Sequence, residues 1–185
     1  MSRLDVPPGR LEDRTVSLRH WHERDVPALV AELQDPEISR WTSGIPSPYT
    51  TDDAAAFLRL AGRQLTSETG CHLAVVARAG GALAGGVALA PVDWHNRSAR
   101  LGYWTARPLR NRGIARSASH LVVEWAFGPL ELERIELRCD PANVPSQRVA
   151  EALGFRREGH LRAHLRTSGG RRDSLVYGLL SSDLG

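Results

Sequence analysis

The sequence has 185 residues, enough for one domain with a hydrophobic core and too few for two of ordinary size. Hydrophobic residues make up 42% of it and charged residues 24%, as in an ordinary soluble globular protein. All 24 basic residues are arginines, and they are mixed with 21 acidic residues to a net charge of +3. This balance does not indicate a nucleic-acid-binding protein, although it is compatible with an anionic cofactor. We expect a single domain over residues 1–185, with a mobile head over residues 1–13.

The cysteine content and the N-terminal segment indicate the cellular compartment of the protein. The two cysteines, Cys71 and Cys139, imply no disulfide framework in a chain of this size. The first residues, Met1 to Pro8, lack the apolar run of a signal peptide, and no segment is apolar enough to span a membrane. We therefore expect a cytoplasmic protein with neither a nucleic-acid nor a membrane partner.

The first half of the chain begins with a strand and two helices. Alternating apolar residues predict the strand over 15–20, and an apolar stripe at helical spacing predicts a helix over 23–33. Thr50 and Asp53 form a capping pair for a second helix, whose apolar side runs from Ala54 to Leu65. Strands over 72–77 and 86–90 then flank Gly80-Gly81, which is typical of a hairpin turn.

The second half alternates strands and helices. It predicts a strand over 101–105, a helix over 113–127 that ends at Gly128-Pro129, a strand over 135–139, a helix over 146–153 and a final strand over 173–180. The element order is β-α-α-β-β-β-α-β-α-β-β. Because strand–helix–strand units usually require parallel pairing, we expect an α/β (α+β) fold, a mixed sheet of about seven strands flanked by about four helices.

An arginine-rich turn lies where the helix predicted over 113–127 begins. Glycine at 113 and alanine at 115 leave room for a ligand near the first helical N–H groups, which have no partner inside the helix and carry the positive end of its dipole. This arrangement suits a pyrophosphate, although a glycine here is also common turn chemistry. Neither the glycine spacing of a Rossmann fold nor that of a P-loop is present.

A family resemblance makes this turn more specific. Arg110-x-x-Gly113-x-Ala115 matches the Gln/Arg-x-x-Gly-x-Gly/Ala motif of the GNAT superfamily of N-acetyltransferases. The surrounding sequence resembles the RimJ/RimL-like branch, which contains ribosomal-protein N-terminal acetyltransferases. The segments that carry this resemblance are Leu101-Gly102-Tyr103-Trp104, Arg134-Ile135-Glu136, Asn143-x-x-Ser146, Gly154-Phe155 and Glu158-Gly159-x-Leu161-Arg162.

The resemblance implies a splayed sheet that binds acetyl-CoA, or another acyl-CoA, between two strands and transfers its acyl group to an amine. The backbone of Trp104 and Thr105 is expected to bind the pantetheine arm, much as a peptide adds to a sheet edge. The implied cofactor-binding set is completed by Arg110, Asn111, Arg112, Gly113, Ile114, Ala115, Asn143 and Ser146. The implied acceptor-binding residues are Trp41, Tyr103 and His95, and a homodimer is the expected assembly.

Four of these residues have simpler interpretations that stay open. Asn143 matches a family position that reaches the cofactor near its thioester, and Asn-x-Pro-Ser is also good helix-capping chemistry. Ser146 matches a serine that protonates the departing thiolate, and it is equally an ordinary first-turn serine. Trp104 and Tyr103 are also plausible core residues.

The general base is where the sequence departs from the family. Relatives often have glutamate at the position of Arg100, or downstream in the region of Leu165, and arginine cannot serve as a base. His164 and His95 are the nearest titratable replacements, since a histidine has a suitable pKa at neutral pH. We therefore take Ser146 and His164 as the candidate catalytic residues. The histidine spacings predict no metal site.

Three functions compete at this stage. The expected one is an acetyl-CoA-dependent N-acetyltransferase that acts on a primary amine of a peptide, a protein N-terminus or a small metabolite. An antibiotic or polyamine acetyltransferase would need an acidic pocket, for which only Asp35, Glu37, Asp52 and Asp53 are candidates. A non-catalytic acyl-CoA-binding module is the third, because of Arg100.

Overall fold

The structure, a computed structural model, describes residues 2–6, 11–42, 44–167 and 170–184. Seven strands form one mixed sheet, as expected, and six of them lie where the sequence pattern placed a strand. The seventh, β6, was counted in the expected element order without being assigned to residues. Their bounds are β1 Val16–His20, β2 Cys71–Ala77, β3 Leu83–Asp93, β4 Ser98–Thr105, β5 Arg134–Cys139, β6 Arg156–Thr167 and β7 Gly170–Leu180. The two glycines between β2 and β3 have φ values of 83° and 68°, which the expected tight turn requires.

Five α-helices accompany the sheet, one more than the four expected. They are α1 Val26–Glu32, α2 Pro36–Trp41, α3 Thr51–Thr66, α4 Ile114–Phe127 and α5 Val144–Ala152. The additional helix is α2, whose six residues are too few to show a helical period. It begins at Asp35, whose side chain accepts a hydrogen bond from the Glu37 N–H, and Pro36 follows at the first helical position.

The order of strands is β1-β2-β3-β4-β5-β7-β6, and every neighbouring pair is antiparallel except β4 and β5. The parallel pair is joined through α4, as a crossover requires. Its register runs from Ser98 opposite Arg134 to Leu101 opposite Leu137 and ends there. The sheet is therefore splayed at its centre, as the sequence predicted.

Helices cover both faces of the sheet. On one face, α4 packs on β1, β3 and β4, and α5 packs on β5. Buried residues there include Leu101, Leu121, Val122, Ile135 and Leu137. On the other face, α1, α2 and α3 form a second apolar cluster around Leu29, Leu33, Ile38, Tyr49 and Ala54.

The N-terminal segment contributes to the core in its described part. Leu4 is fully buried, Leu11 is 5% exposed, and the Ser2 hydroxyl donates to the Leu65 carbonyl. The sequence suggested a mobile head over residues 1–13 because that segment has no periodic pattern. Leu4 and Leu11 nevertheless pack with the strand residues Val16, Leu18 and Cys71, which stabilises this segment through apolar burial.

Candidate active site

A gap opens between β4 and β5 beyond the Leu101–Leu137 pair. In the antiparallel pairing of β4 with β3, the Ala106 N–H donates to the Ala84 carbonyl, and Trp104 lies opposite Gly86. Hydrogen-bonded and non-hydrogen-bonded residues alternate along such a ladder. The backbone N–H and C=O groups of Tyr103 and Thr105 therefore point toward β5, into the gap.

The expected backbone role of Trp104 needs a correction for the same reason. Its N–H and C=O point toward β3, away from the gap. Its indole ring lies against Gly86, where an added Cβ would come 2.5 Å from the ring nitrogen. The ring packs with the cluster formed by α1, α2 and α3. Trp104 is thus a packing residue, and Tyr103 takes its place beside Thr105 at the edge of the gap.

The N-terminus of α4 lies after the end of β4, beyond a short turn. Gly113 is its N-cap with φ 78°, a left-handed conformation that favours glycine, and no side chain caps the helix. In the described part of the chain, the N–H groups of Ile114 and Ala115 have no protein partner. An added Cβ at Gly113 would meet nothing within 4 Å. Unpaired amides facing open space fit a pyrophosphate group.

The arginines of this turn differ in what they contact. Arg110 was expected beside the pyrophosphate, but its guanidinium donates to Asp35 at 2.6 Å and to the Thr105 carbonyl at 3.2 Å. Asp35 is the N-cap of α2, and its side chain is only 9% exposed. Arg110 therefore ties the end of β4 to α2. Arg112 is exposed, as are Asn111 and Gly113, and it has no ion pair within the described residues.

A hydroxyl pair lies on the α4–α5 face of the gap. The Tyr103 hydroxyl and the Ser146 Oγ are 2.9 Å apart, and Ser146 is in the first turn of α5. Burial raises the pKa of Tyr103 to about 12, against a smaller opposing effect of its bond to Ser146. Burial likewise raises the pKa of the Cys139 thiol to about 11. The Tyr103 phenol and the Cys139 thiol therefore keep their protons at neutral pH. The Tyr103–Ser146 pair thus holds a hydroxyl hydrogen at the gap.

Asn143 is the N-cap of α5. Its side-chain oxygen accepts a hydrogen bond from the Ser146 N–H at 3.2 Å. Because the cap fixes the first turn, it also fixes where Ser146 lies relative to Tyr103. The capping interpretation is confirmed, and a contact between Asn143 and a cofactor stays a prediction.

A carboxylate that the sequence analysis did not single out lies on the opposite face. Glu136 lies directly across from Arg100 in the β4–β5 pairing, so both side chains share the face that carries α2. Its Oε1 contacts Arg100 Nε at 3.2 Å and Arg138 Nε at 2.6 Å. The neighbouring β4 residue on this face is Gly102, where an added Cβ would meet nothing within 4 Å. The surface beside Glu136 is therefore open at the mouth of the gap.

His164 lies next to this cluster on β6. A β-bulge between Leu161 and Leu165 turns its ring toward β5, where Nε2 is 2.9 Å from Arg138 Nη1, and Nδ1 is 3.0 Å from Ser174 Oγ. A guanidinium only donates, so Nε2 accepts this bond and Nδ1 carries the proton. Both ring nitrogens therefore already form hydrogen bonds, and neither has a free lone pair to accept a proton from an amine.

His95 lies far from the other candidates. It is exposed in the turn between β3 and β4, whereas the gap begins beyond Leu101, halfway along β4. The strand from Ser98 to Gly102, the first residue past the last pair, already spans about 13 Å at about 3.3 Å per residue. The structure thus does not bring His95 to the site.

Trp41, in contrast, lies near the gap at the C-terminal end of α2. Its ring is 5.3 Å from the guanidinium of Arg172, which is ion-paired to Asp140, the residue after β5.

The described residues show neither a metal-binding cluster nor a membrane-spanning helix. Within the described ranges, no group of three or more His, Cys, Asp or Glu side chains is placed to hold a metal ion. No helix among them is long and apolar enough to cross a bilayer.

Comparison with known proteins gives the family of this fold and site. The family model described as an acetyltransferase (GNAT) domain matches residues 15–156. A solved structure, Mycobacterium smegmatis RimJ in complex with CoA-disulfide, superposes with a TM-score of 0.86 at 25% identity, covering 92% of this chain and 86% of that one.

Two curated relatives differ in how much of the chain they match. N-acetyltransferase p20 of Bacillus licheniformis, itself uncharacterised, is 25% identical over 182 residues, which are 98% of this chain and 94% of p20. YdaF of Bacillus subtilis, provisionally named a ribosomal N-acetyltransferase, is 35% identical over 103 residues. This match spans 56% of each protein, so the chain covers about half the length of YdaF. The family match, the splayed sheet and the uncapped helix agree, and the chain belongs to the GNAT family of acetyltransferases.

Proposed function

We propose that the protein transfers an acetyl group from acetyl-CoA to a primary amine, with a peptide or protein N-terminus as the preferred acceptor and a small metabolite as the other candidate. The observation that carries this proposal is the β4–β5 gap, where backbone groups of β4 without a strand partner lead to the uncapped N-terminus of α4. Each part of an acyl-CoA thus has a complementary surface. The amide-containing pantetheine arm fits along the strand edge, and the anionic pyrophosphate fits at the free amides of the helix. RimJ of Mycobacterium smegmatis, which was solved with a CoA-disulfide, supports the same use of this fold.

The residues that would hold acetyl-CoA follow from these surfaces. The backbone of Tyr103 and the N–H of Thr105 would pair with the pantetheine amides, since the Thr105 carbonyl already accepts from Arg110. The first-turn N–H groups after Gly113 would bind the pyrophosphate. Arg112, exposed beside them, adds positive charge. The bound thioester supplies the activated acetyl group, and the chain supplies its orientation.

The hydroxyl pair of Tyr103 and Ser146 stabilises the thiolate that leaves in the reaction. Because the Tyr103 pKa is about 12, the phenol does not ionise at neutral pH and remains a hydrogen-bond donor. Tyr103 and Ser146 together present a hydroxyl hydrogen toward the place where a thiolate leaves. In this proposal Ser146 is the donor that touches the sulfur, and Tyr103 orients it.

Glu136 is the best-placed proton acceptor among the described residues. It lies beside the open surface at Gly102, and its side chain is 22% exposed. An amine that attacks the acetyl group releases a proton, which Glu136 accepts directly or through a water molecule. His164 is a supporting residue in this arrangement, since it holds Arg138, which in turn contacts Glu136.

The polyamine and antibiotic alternative finds little support from charge. Among the acidic candidates, Asp35 is paired with Arg110, Glu37 with Arg40, and Asp53 is bonded to Thr50 as a capping box. These three carboxylates already have partners. The fourth candidate, Asp52, is exposed, and a single carboxylate does not form the acidic pocket that a polycation needs. The non-catalytic alternative was based on Arg100, and Glu136 directly across from it removes the main reason for that choice.

Assembly and location belong to the same proposal. We propose one domain over residues 1–185, a cytoplasmic location and a homodimer, on the strength of the RimJ/RimL-like resemblance.

Mass spectrometry of acetylated products tests the function. The purified protein is incubated with acetyl-CoA and a panel of an N-terminal-free peptide, an N-blocked lysine peptide and a polyamine. We expect a mass increase of one acetyl group on the first. Binding of acetyl-CoA without acetylation of any amine would instead support the non-catalytic module.

A further inference from the structure

Helix α2 bridges the two sides of the gap. At its N-terminal end, Asp35 is ion-paired to Arg110, which also bonds to the end of β4. At its C-terminal end, Trp41 contacts Arg172, which is ion-paired to Asp140 at the end of β5. Six residues span about 9 Å as a helix. An acceptor that approaches the gap from this face therefore passes α2, and its C-terminal end is close to the path.

At that end of α2, two guanidinium groups lie near the ring of Trp41, one from Arg40 of α2 itself and one from Arg172 of β7. The guanidinium of Arg40 is 4.5 Å from the Trp41 ring, and that of Arg172 is 5.3 Å from it. The Arg40 side chain is 53% exposed and that of Arg172 is 32% exposed. Arg172 uses Nε on Asp140, and its two Nη atoms have no hydrogen-bond partner within the described residues. The two guanidinium groups beside the Trp41 ring therefore keep N–H donors that are available to a ligand.

Charge at this mouth is positive on balance. Four ion pairs at this mouth join Arg40, Arg172, Arg138 and Arg100 to Glu37, Asp140 and Glu136, so each of these carboxylates is already in contact with a guanidinium. Four positive and three negative groups leave a net charge of +1. An acceptor with negative charge near its amine is favoured here, and a cationic one is repelled.

We propose that Arg40 and Arg172, beside Trp41, select peptide acceptors that carry acidic side chains just after the N-terminal residue. This inference rests on the proposed transfer to peptide N-termini. An extended peptide rises about 3.3–3.6 Å per residue, so the second and third side chains lie about 4–7 Å beyond the amine. Their carboxylates then meet the free guanidinium nitrogens, which bind carboxylates in a forked geometry.

Two peptides test the selection. They share a free N-terminal serine and differ only in having two aspartates or two asparagines at positions 2 and 3, so size and hydrogen-bonding shape are nearly equal. We expect kcat/KM to be about fivefold higher for the aspartate peptide at low salt, as exposed charge pairs of this kind support. The preference should shrink at high ionic strength, since exposed charges are screened.

Substitutions then assign the preference to the two arginines. Arg40→Gln and Arg172→Gln should each lower the aspartate-to-asparagine ratio to about twofold or less. Arg63→Gln, which removes an exposed charge on α3, is the matched control and should keep the parental ratio. Melting temperatures confirm that each variant is folded, and Arg40→Gln serves if Arg172→Gln does not fold.

The outcomes separate the two proposals. Equal rates with both peptides in the parent protein, or a ratio unchanged in both arginine variants, overturn the selection and leave the acetyltransferase function intact. A parent protein that acetylates neither peptide overturns the proposed transfer to peptide N-termini and this inference with it.

Discussion

Gly113 combines a backbone role and a ligand role in one residue. Its φ of 78° is costly for other residues, and the space where a side chain would stand is open. Gly113→Leu should lower the free energy of unfolding by about 1–2 kcal/mol and abolish the rise in melting temperature with acetyl-CoA, because the side chain occupies the pyrophosphate position. The measurement is a thermal melt with and without acetyl-CoA.

Gly80 provides the control for this variant. It has φ 83°, no neighbour within 4 Å of an added Cβ, and a place in the β2–β3 turn. Gly80→Leu should cost a similar free energy of unfolding and keep the acetyl-CoA shift. Equal shifts in the two variants would refute the phosphate-binding role of the α4 N-terminus.

Glu136 is the residue on which the proton-transfer proposal depends. Glu136→Gln keeps its shape and removes the group that accepts the proton, so kcat for peptide acetylation should fall by about 100-fold or more, while the acetyl-CoA melting shift stays. Glu133→Gln, which breaks an exposed ion pair with Arg97, should leave kcat unchanged. A kcat for Glu136→Gln within twofold of the parent would mean that another group takes the proton.

At the scale of elements, the Arg110–Asp35 pair couples the cofactor turn to α2. Asp35→Asn keeps the helix cap and removes the charge, and Arg110→Gln removes the other partner. If the pair acts by positioning, both single variants should raise the KM for acetyl-CoA by a similar factor, and the double variant should be no worse than either. The expected coupling energy is about 1 kcal/mol, from a double-mutant cycle on kcat/KM.

A direct phosphate contact by Arg110 predicts a different pattern. In that case Arg110→Gln alone would raise the KM for acetyl-CoA, and Asp35→Asn would have little effect. Melting temperatures of the three variants show whether α2 remains folded.

Elements were predicted well where they are long and periodic, and poorly where a contact defines them. Six of the seven strands and the helices α3 and α4 follow from apolar spacing, and Gly113 follows from a local motif. The exception is β6, which is long but was not assigned from its sequence. Helix α2 has too few residues for a period, and it is held by contacts with Arg110 and Arg172 from distant parts of the chain. The bulge that turns His164 toward Arg138 depends on Asp173, which binds the Ala163 N–H.

The site itself shows the same limit at the scale of the whole molecule. Arg100 and Glu136 are 36 residues apart, and only the order of strands in the sheet makes them neighbours. From the sequence, Arg100 therefore looked like the loss of a base. Similarly, alternation along β4 gives the two faces, but which backbone groups face the gap depends on the partner strand, and Trp104 was wrongly placed for that reason.

The charge of the assembled site leads to a statement about which amines the protein acetylates. Glu136 is already contacted by two guanidinium groups, and the mouth is positive on balance, so an ammonium ion gains little attraction there. The acceptor should arrive as a neutral amine. An α-amino group has a pKa of about 8 and a lysine amine one of about 10.4, so at pH 7.5 roughly a quarter of the former and about one part in a thousand of the latter are neutral.

This difference amounts to about 3 kcal/mol of deprotonation cost, since each pKa unit is about 1.4 kcal/mol. We therefore expect faster acetylation of an N-terminal-free peptide than of an N-blocked peptide with one lysine, by about 100-fold in kcat/KM at pH 7.5. Raising the pH to 8.5 should increase the lysine rate about tenfold and the α-amine rate only about threefold, because most of the α-amine is then neutral. Faster acetylation of the lysine side chain at pH 7.5 would show instead that the site binds and deprotonates an ammonium ion.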